Sequence, residues 1–308
     1  MRILLVRLSA LGDIVHTLPC AASLRASFPE AEICWLMEHR WAYLAESNPH
    51  VSAVLSWQRS LTGTRHVLQR LRRERFDLVI DVQGLLKSAA FTWLSRASER
   101  IGYSAESCRE PLAALAYTRR VCPSSAHVVD RQLELVREAG AQTAVREFPL
   151  PAGHPEGELP ETPFVLAAPL AGWPHKQWPE ECYSRLALRL QTQLGMPLVV
   201  TAAAALRIPN CISLSCGLPG LIYALRRCAA YVGGDTGPTH LAAALGKPGV
   251  ALYGPTDPAR NGPYGSALRV LRAVGAETSY ARRSEPAESM RRISIDAVFA
   301  ALSEVLCR

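Results

Sequence analysis

The chain alternates short apolar segments with longer amphipathic segments from its first residues onward. Short runs of Val, Ile and Leu are typical of strands buried in a parallel sheet, and helices usually cover such strands. In the first half the pattern predicts strands over 3–8, 32–37, 51–57 and 76–82, and helices over 14–28, 41–47 and 61–75. Pro19 lies in the second turn of the first helix, so we expect that helix to bend or to begin later.

A second alternation of the same kind begins near residue 164. It predicts strands over 164–168, 198–201, 231–233 and 250–253, separated by helices over 179–194, 218–228 and 239–245. The segment 147–162, between the two series, contains four prolines and two glycines and has almost no periodicity, which is typical of a linker.

The pattern as a whole predicts an α/β protein with two doubly wound parallel sheets. We expect one domain over 1–150 and a second over 163–294. Segment 295–308 places its apolar residues on one face of a final helix, so we expect this helix to pack back on the lobes.

Composition agrees with two folded domains and narrows the choice of partners. The chain has 308 residues, of which 49% are hydrophobic, enough for two cores of ordinary size. The formal net charge of +7 permits a phosphate-rich substrate, nucleic acid or an anionic membrane face, and does not choose among them. No nucleic-acid recognition motif accompanies the charge, so we expect no nucleic-acid partner.

Cysteine usage and the N-terminal segment bear on the compartment. Nine cysteines, an odd number with no Cys-x-x-Cys pair, indicate reduced cytosolic thiols and no zinc site. Arg2 and Arg7 interrupt the first apolar run, so we predict no signal peptide. No run approaches the roughly 18 to 20 apolar residues of a membrane span, so we expect a cytoplasmic protein whose membrane contact, if any, is peripheral on the inner face.

Two strand-to-helix turns carry groups suited to catalysis or to phosphate binding. Ser9-Ala10-Leu11-Gly12-Asp13 follows the first strand, and there Asp13 has two interpretations, an N-cap carboxylate or a base for an incoming hydroxyl. Gly233 to His240 precedes a helix whose N-terminal N–H groups suit a diphosphate, or it is a simple Gly/Pro turn. The residues by themselves leave both alternatives open.

Lysine is rare among the 34 basic residues, and its three positions are therefore of interest: Lys87, Lys176 and Lys247. Lys176 lies in a strand-to-helix turn and has two interpretations, a phosphate ligand or a solvated loop residue. Five arginines between 65 and 75 form a stripe on a predicted helix, either a solvated face or a surface for an anionic membrane or acidic acceptor. Gly-x-Gly-x-x-Gly does not occur after the first strand, which disfavours a nicotinamide-dependent oxidoreductase.

Six motifs in order resemble the bacterial lipopolysaccharide heptosyltransferases over nearly the whole chain. They are Ser9-x-x-Gly12-Asp13, Asp81-x-Gln83-Gly84-x-x-Lys87-Ser88, Arg109-Glu110-Pro111-Leu112, Lys176-x-Trp178-Pro179, Asp235-Thr236-Gly237-x-x-His240-Leu241-Ala242 and Tyr253-Gly254-Pro255-Thr256-Asp257-Pro258. The two motifs at Gln83 and Arg109 are most similar to heptosyltransferase I, which adds the first heptose to the Kdo of the inner core.

The resemblance implies a GT-B fold, in which two Rossmann-like lobes border a substrate cleft. It also implies ADP-L-glycero-D-manno-heptose as donor, Kdo-lipid A as acceptor, and inverting transfer that needs neither a metal nor a cofactor. Asp13 corresponds to the family's general base. The N-terminal lobe corresponds to the acceptor-binding domain and the C-terminal lobe to the nucleotide-sugar-binding domain. Matched residues are expected to hold the donor (Gly172, Lys176, Asp235, Thr236, Gly237 and His240) and the acceptor (Ser9, Gly12, Gln83, Lys87, Arg109 and Arg131).

The chain departs from the family pattern at two places. After the strand ending at Thr201 the family usually has Gly-Gly and then a Glu that helps hold the nucleoside, whereas this chain has four alanines, Leu206 and Arg207. Before Trp173 the family often has Ser or Thr, whereas this chain has Ala171 and Gly172. These departures motivate an alternative, a glycosyltransferase of the same fold with another donor or acceptor. An oxidoreductase is a further alternative, supported only by the doubly wound pattern.

Overall fold

A computed structural model describes residues 1–204, 206–279 and 284–307. The chain divides into two compact units, Met1–Pro151 and Ala152–Arg308. Each unit contains one six-stranded sheet in which every strand pair is parallel. The prediction of two doubly wound parallel sheets is therefore confirmed.

In the first unit, helices alternate with strands to its end. The elements are β1 (Arg2–Val6), α1 (Leu11–Ser27), β2 (Glu32–Glu38), a 3-10 turn (His39–Trp41), α2 (Tyr43–Glu46), β3 (Ala53–Trp57), α3 (Leu61–Glu74), β4 (Leu78–Asp81), α4 (Leu86–Leu94), β5 (Glu99–Tyr103), a 3-10 segment (Pro111–Ala116), β6 (Arg119–Val121) and α5 (Val128–Glu138). The strand order is β3-β2-β1-β4-β5-β6. The order reverses between β1 and β4, so the loops after these two strands diverge.

The second unit repeats this topology. Its elements are β7 (Val165–Ala168), a 3-10 turn (Pro174–Lys176), α6 (Glu180–Leu194), β8 (Leu198–Ala202), β9 (Ile212–Ser215), α7 (Leu218–Arg227), β10 (Ala230–Gly234), α8 (Gly237–Ala244), β11 (Gly249–Tyr253), α9 (Pro258–Asn261), β12 (Leu268–Arg272), α10 (Glu288–Arg291) and α11 (Ile295–Leu306). The order β12-β11-β10-β7-β8-β9 reverses between β7 and β10.

The central strands and the inner faces of the helices form the two cores. In the first unit Leu4 and Val6 of β1 are fully buried, and in the second unit Val165 and Ala167 of β7 are too. The final helix α11 packs on α6, β10 and β11 of the second unit. Arg308, the last residue of the predicted segment 295–308, lies outside the described residues. Within the described ranges, no helix is long and apolar enough to cross a membrane.

The first helix corrects one expectation. It begins at Leu11, earlier than predicted, and continues without interruption through Pro19. Its start is stabilised from within, because the Asp13 carboxylate accepts a hydrogen bond from the Ala10 N–H at 3.0 Å. Asp13 is accordingly the third residue of the helix and not its N-cap residue.

The apolar pattern predicted the edge strand β3 but missed β5, β6, β9 and β12, of which all but β5 lie at sheet edges. β6 and β9 lie at sheet edges, and most of their residues are exposed. An edge strand with polar, exposed residues has no continuous apolar run from which to be recognised. The predicted helix over 41–47 is shorter, with a 3-10 turn before it and α2 over Tyr43–Glu46.

Part of the predicted linker contacts the second unit. Residues 152–157 have no regular secondary structure, but the Glu156 carboxylate accepts a hydrogen bond from the Gly217 N–H at 2.5 Å, at the start of α7. This bond satisfies one of the N–H groups that a helix start leaves without an intrahelical partner.

A buried carboxylate organises the end of β4. Asp81 is completely buried and accepts hydrogen bonds from the Gln83 N–H at 2.8 Å, the Gly84 N–H at 3.3 Å and the Tyr117 hydroxyl at 2.8 Å. Burial raises the pKa of the Asp81 carboxyl, and these hydrogen bonds oppose the rise only in part. The ring of Tyr117 lies so close to Gly102 that a Cβ there would meet it at 2.4 Å.

We expect Tyr117→Phe to lower the free energy of unfolding by about 1–3 kcal/mol at neutral pH, because it removes a donor to a buried carboxylate. A carboxyl with a raised pKa holds its proton more tightly in the folded chain, so stability falls as pH rises above the unfolded pKa of about 4. The loss caused by Tyr117→Phe should therefore be smaller near pH 4, where Asp81 is closer to neutral. Urea unfolding of the wild type and the variant, at neutral pH and near pH 4, measures this loss of stability.

Tyr183→Phe provides the matched control. The Tyr183 hydroxyl is buried and has no hydrogen-bond partner in the described part of the chain, so its removal should leave stability unchanged or raise it. Equal losses from Tyr117→Phe at the two pH values would contradict the role assigned to the Asp81 charge.

Candidate functional site

In the first unit, the candidate residues cluster where the sheet order reverses. Arg7 follows β1, and its buried guanidinium donates to the Val82 carbonyl at 2.8 Å and pairs with Asp13 Oδ1 at 2.6 Å. The other Asp13 oxygen accepts the Ala10 N–H. Asp13 thus stands in the first turn of α1, where the helix dipole favours a negative charge, and 41% of its side chain is exposed to solvent.

The turn after β4 lies beside this carboxylate. The Leu8 N–H donates to Gln83 Oε1 at 2.7 Å, which connects the loops that follow β1 and β4. Gly84 has a φ of +67°, a conformation that favours glycine. The structure therefore brings Ser9, Gly12, Asp13 and Gln83 to one edge of the first sheet.

Lys87 is held by a buried acidic residue at the end of β2. Its ammonium contacts Glu38 Oε1 at 3.1 Å and lies 5.4 Å from the centre of the Trp57 ring. Arg40 donates to the other Glu38 oxygen at 2.7 Å. Burial acts to raise the pKa of Glu38, but the hydrogen bonds and charges of Lys87 and Arg40 outweigh it, and the pKa lies below its usual range.

The two predicted acceptor arginines also follow carboxyl ends of strands. Arg109 is exposed in the loop between β5 and the 3-10 segment. Arg131 lies in the first turns of α5, donates to the Pro123 and Ser125 carbonyls at 3.4 Å, and stands 5.9 Å from the Tyr103 ring centre. Arg131 is thus tied to its own loop, whereas Arg109 extends into solvent.

In the second unit a compact charged cluster occupies the reversal point. Asp235 follows β10 directly, and its Oδ2 pairs with Lys176 Nζ at 2.5 Å. His240, one turn into α8, places Nε2 at 3.6 Å from Asp235 Oδ1. Burial acts to raise the pKa of Asp235, but the hydrogen bond from His240 and the charge of Lys176 outweigh it and lower the pKa to about 2.

The surroundings of this cluster suit a phosphate-bearing ligand. Thr236 occupies the N-cap position of α8 without a side-chain cap hydrogen bond, and Gly237 is the first residue of the helix. The Gly237 N–H therefore points out of the helix start without an intrahelical acceptor. The Lys176 ammonium lies 5.1 Å from the centre of the Trp173 ring. Gly172 is exposed, and a side chain there would meet nothing within 4 Å.

The segment that departs from the family pattern ends β8 at the same edge of the second sheet. Ala203 and Ala204 are exposed, Leu206 packs against the core, and Ala205 lies outside the described residues. This segment supplies no carboxylate, because its sequence from 202 to 207 contains none.

The sequence did not predict the roles of two residues of these sites, Arg7 and Tyr117. In the sequence Arg7 is only the charged end of an apolar strand, and the fold shows that its guanidinium is buried against Asp13. Tyr117 is far from Asp81 in sequence, and no spacing rule connects them. A single signal was available, namely that Arg7 and Asp81 are charged residues at the carboxyl ends of apolar strands.

Among residues 1–204, 206–279 and 284–307, no group of three or more His, Cys, Asp or Glu side chains is arranged to hold a metal ion. The arrangement instead offers a carboxylate beside an exposed edge in one unit. In the other unit it offers a cation and a helix start beside a buried carboxylate. A base and an anion-binding turn are the parts that a group-transfer reaction with a phosphate leaving group needs.

Comparisons with known proteins agree with this chemistry. The model of glycosyltransferase family 9 (heptosyltransferase) matches residues 64–290. Lipopolysaccharide heptosyltransferase 1 of Pseudomonas aeruginosa is 33% identical over 298 residues, which cover 86% of this chain and 82% of that relative.

Two solved structures of the heptosyltransferase WaaC of E. coli are similar throughout. The structure with ADP has a TM-score of 0.80 and 26% identity, covering 99% of this chain and 100% of that one. The structure with ADP-2-deoxy-2-fluoro heptose has a TM-score of 0.77 and 26% identity, with 99% of each chain covered. The GT-B fold class is thereby confirmed, and the chain belongs to glycosyltransferase family 9, the heptosyltransferases.

Proposed function

We propose that this enzyme transfers L-glycero-D-manno-heptose from ADP-heptose to the Kdo of the lipopolysaccharide inner core, with inversion at the anomeric carbon. The observation that carries the proposal is the Lys176, Asp235 and His240 cluster at the start of α8. The relatives support it, since one is a lipopolysaccharide heptosyltransferase 1 and WaaC has been solved with ADP and with an ADP-heptose analogue.

Asp13 is the proposed general base. Its carboxylate is partly exposed, and Arg7 and the Ala10 N–H hold one oxygen each, so the group is oriented before substrate arrives. The acceptor hydroxyl donates its proton to Asp13 while its oxygen attacks the anomeric carbon of the donor. Each Asp13 oxygen retains a lone pair for this bond, because a carboxylate oxygen accepts two hydrogen bonds.

The second unit stabilises the leaving group in this proposal. ADP gains negative charge as the glycosidic bond breaks, and the Lys176 ammonium and the N–H groups of Gly237 and its neighbours favour that charge. Asp235 stays ionised throughout the neutral range and is suited to accept hydrogen bonds from heptose hydroxyls, with His240 beside it. Thr236 and the backbone at Gly172 complete the donor contacts.

The first unit binds the acidic acceptor. The carboxylate of Kdo matches the guanidinium of Arg109, which is exposed, and the cationic groups of Arg131 and Lys87, which would exchange part of their present contacts for it. Ser9, Gly12 and Gln83 line the same edge. Because the proposed acceptor is lipid-linked, we also propose a cytoplasmic enzyme in peripheral contact with the inner face of the membrane.

We expect Asp13→Asn to reduce kcat by roughly a hundred- to ten-thousand-fold, the usual contribution of a positioned base. The amide preserves size and can still accept the Ala10 N–H, so the helix start is retained. The measurement is heptose transfer from ADP-heptose to de-O-acylated Kdo-lipid A, with the melting temperature and ADP affinity of the variant determined in parallel.

Turnover of Asp13→Asn or Asp13→Ala at the wild-type rate would remove Asp13 as the base. A loss of rate accompanied by an equal loss of ADP affinity would indicate a damaged fold and not a missing base.

We expect Lys176→Met to weaken ADP binding about ten-fold or more, because it removes a charge-assisted contact to phosphate. It should also destabilise the fold, since Asp235 is left largely buried without its cation. Calorimetric titration with ADP measures the affinity.

The matched control is Lys247→Met in the same unit. Lys247 donates to the Arg226 and Cys228 main-chain carbonyls, so its loss should affect stability and leave ADP affinity unchanged. Equal ADP affinity for Lys176→Met and wild type would contradict a phosphate contact at Lys176.

The alternative of a different donor rests on the segment 202–207, which lacks the Glu of the family pattern. A melting-temperature panel of sugar nucleotides separates the two cases, because a bound ligand raises the melting temperature. We expect ADP-heptose to give the largest rise. A larger rise with another base or sugar would reassign the donor and keep the glycosyltransferase class.

A further inference from the structure

The first unit has an apolar surface that the proposed chemistry does not use. It is formed by the outward face of α4 and the neighbouring 3-10 segment, and we refer to it as the α4 patch: Leu86, Ala90, Trp93, Pro111, Leu112 and Leu115. The four large side chains are exposed by 49% (Leu86), 61% (Trp93), 66% (Leu112) and 72% (Leu115).

The two elements lie side by side, so the patch is continuous. They pack against each other along their length. At one end the Glu110 carboxylate accepts the Leu86 N–H at 2.6 Å. At the other end the Arg100 guanidinium donates to the Ala97 carbonyl at 2.5 Å and the Ala116 carbonyl at 2.8 Å.

The composition of this face is unusual for a surface helix. Leu86, Ala90 and Trp93 are spaced by four and three residues, so they occupy one face of α4, while Phe91 and Thr92 face inward and are buried. A surface helix normally presents charged or polar residues outward. The other five tryptophans, all within described ranges, are buried or half-buried, and only Trp93 is exposed.

Basic side chains border the patch. Arg96 follows α4, Arg109 precedes the 3-10 segment, and Arg120 follows it, with its Nε donating to the Ala114 carbonyl; all three are exposed. The Glu110 carboxylate beside the patch is engaged at the start of α4. Arg119 nearby is neutralised by its pairs with Glu99 and Glu138.

We propose that the α4 patch is the surface by which the enzyme docks on an anionic lipid bilayer. Leucines insert at the level of the headgroups, and Trp93 occupies the interface that tryptophan favours. Arg96 and Arg120 bind lipid phosphates, while Arg109 remains with the acceptor. A second copy of this chain fits the surface less well, because a two-fold contact would bring like-charged arginine borders together.

The inference rests on the proposed function, because docking on a bilayer would give the enzyme access to a lipid-linked acceptor. Its test requires no turnover. Full-length protein is sedimented with vesicles of phosphatidylcholine containing phosphatidylglycerol, and with vesicles of phosphatidylcholine only. We expect binding to the anionic vesicles, weaker binding to the neutral ones, and weakening of the former by salt.

The test variant is the double substitution Trp93→Ser and Leu115→Ser, and the control is Leu188→Ser, which removes a leucine that is 54% exposed on α6 of the second unit. The double variant should lose at least about ten-fold in vesicle affinity, because two apolar side chains no longer leave water. The control should bind as wild type does. Wild-type protein that fails to bind anionic vesicles, or a double variant that binds equally well, would overturn the proposal.

Two further measurements distinguish a membrane-docking surface from a dimer interface and from a part of the active site. Gel filtration that shows a wild-type dimer and a monomeric double variant would assign the patch to a second copy and overturn the membrane proposal. Transfer to a water-soluble, de-acylated acceptor should be unchanged in the double variant, since neither residue belongs to the site. An absence of transfer in all proteins, with vesicle binding intact, would refute the proposed reaction and leave the docking surface standing.

Discussion

Parallel strands are joined by crossovers of one hand, and this constraint determines where the chain can bind anything. In each unit the first strand sends its crossover to one side of the sheet, and the fourth strand begins the series on the other side. The two loops at the reversal therefore diverge, and ligands of open parallel sheets typically bind in the crevice between them. In the first unit Asp13 lies in the first turn of the helix after β1, and Gln83 lies in the loop after β4. In the second unit Lys176 ends the 3-10 turn after β7, and Asp235 follows β10.

Paired charges at these points link function to stability. Asp13 is held by a buried arginine, and Asp235 by a lysine that is largely removed from solvent. Loss of Lys176 would leave the Asp235 carboxylate in a poorly solvated place, which typically costs several kcal/mol, whereas Asp13 is partly exposed and its pair contributes less. The same pairs orient the carboxylates before any ligand arrives. The groups that would perform the chemistry therefore also stabilise the loops that carry them.

The amino-acid pattern predicted some strands and helices more completely than others. Central strands such as β1 and β10 are apolar over most of their length, because both faces are covered, and they are recognisable as such. Edge strands such as β6 are largely exposed to solvent and carry arginines, so their sequence pattern resembles that of a loop. Helix α1 shows a different error, since Pro19 suggested a bend or a later start, whereas the helix begins at Leu11 and continues through Pro19.

For the site, the sequence by itself determined which residue types stand in the turns: a Gly-Asp pair after the first strand, and Asp-Thr-Gly before the helix α8. These are local properties, set by which residues a strand-to-helix turn accepts. Only the tertiary structure decided that Arg7 is buried against Asp13, that Lys176 meets Asp235 from 59 positions away, and that Leu112 and Trp93 share one exposed surface. Such pairings depend on strand order and helix packing, and contacts between distant segments leave no periodic trace in a single sequence.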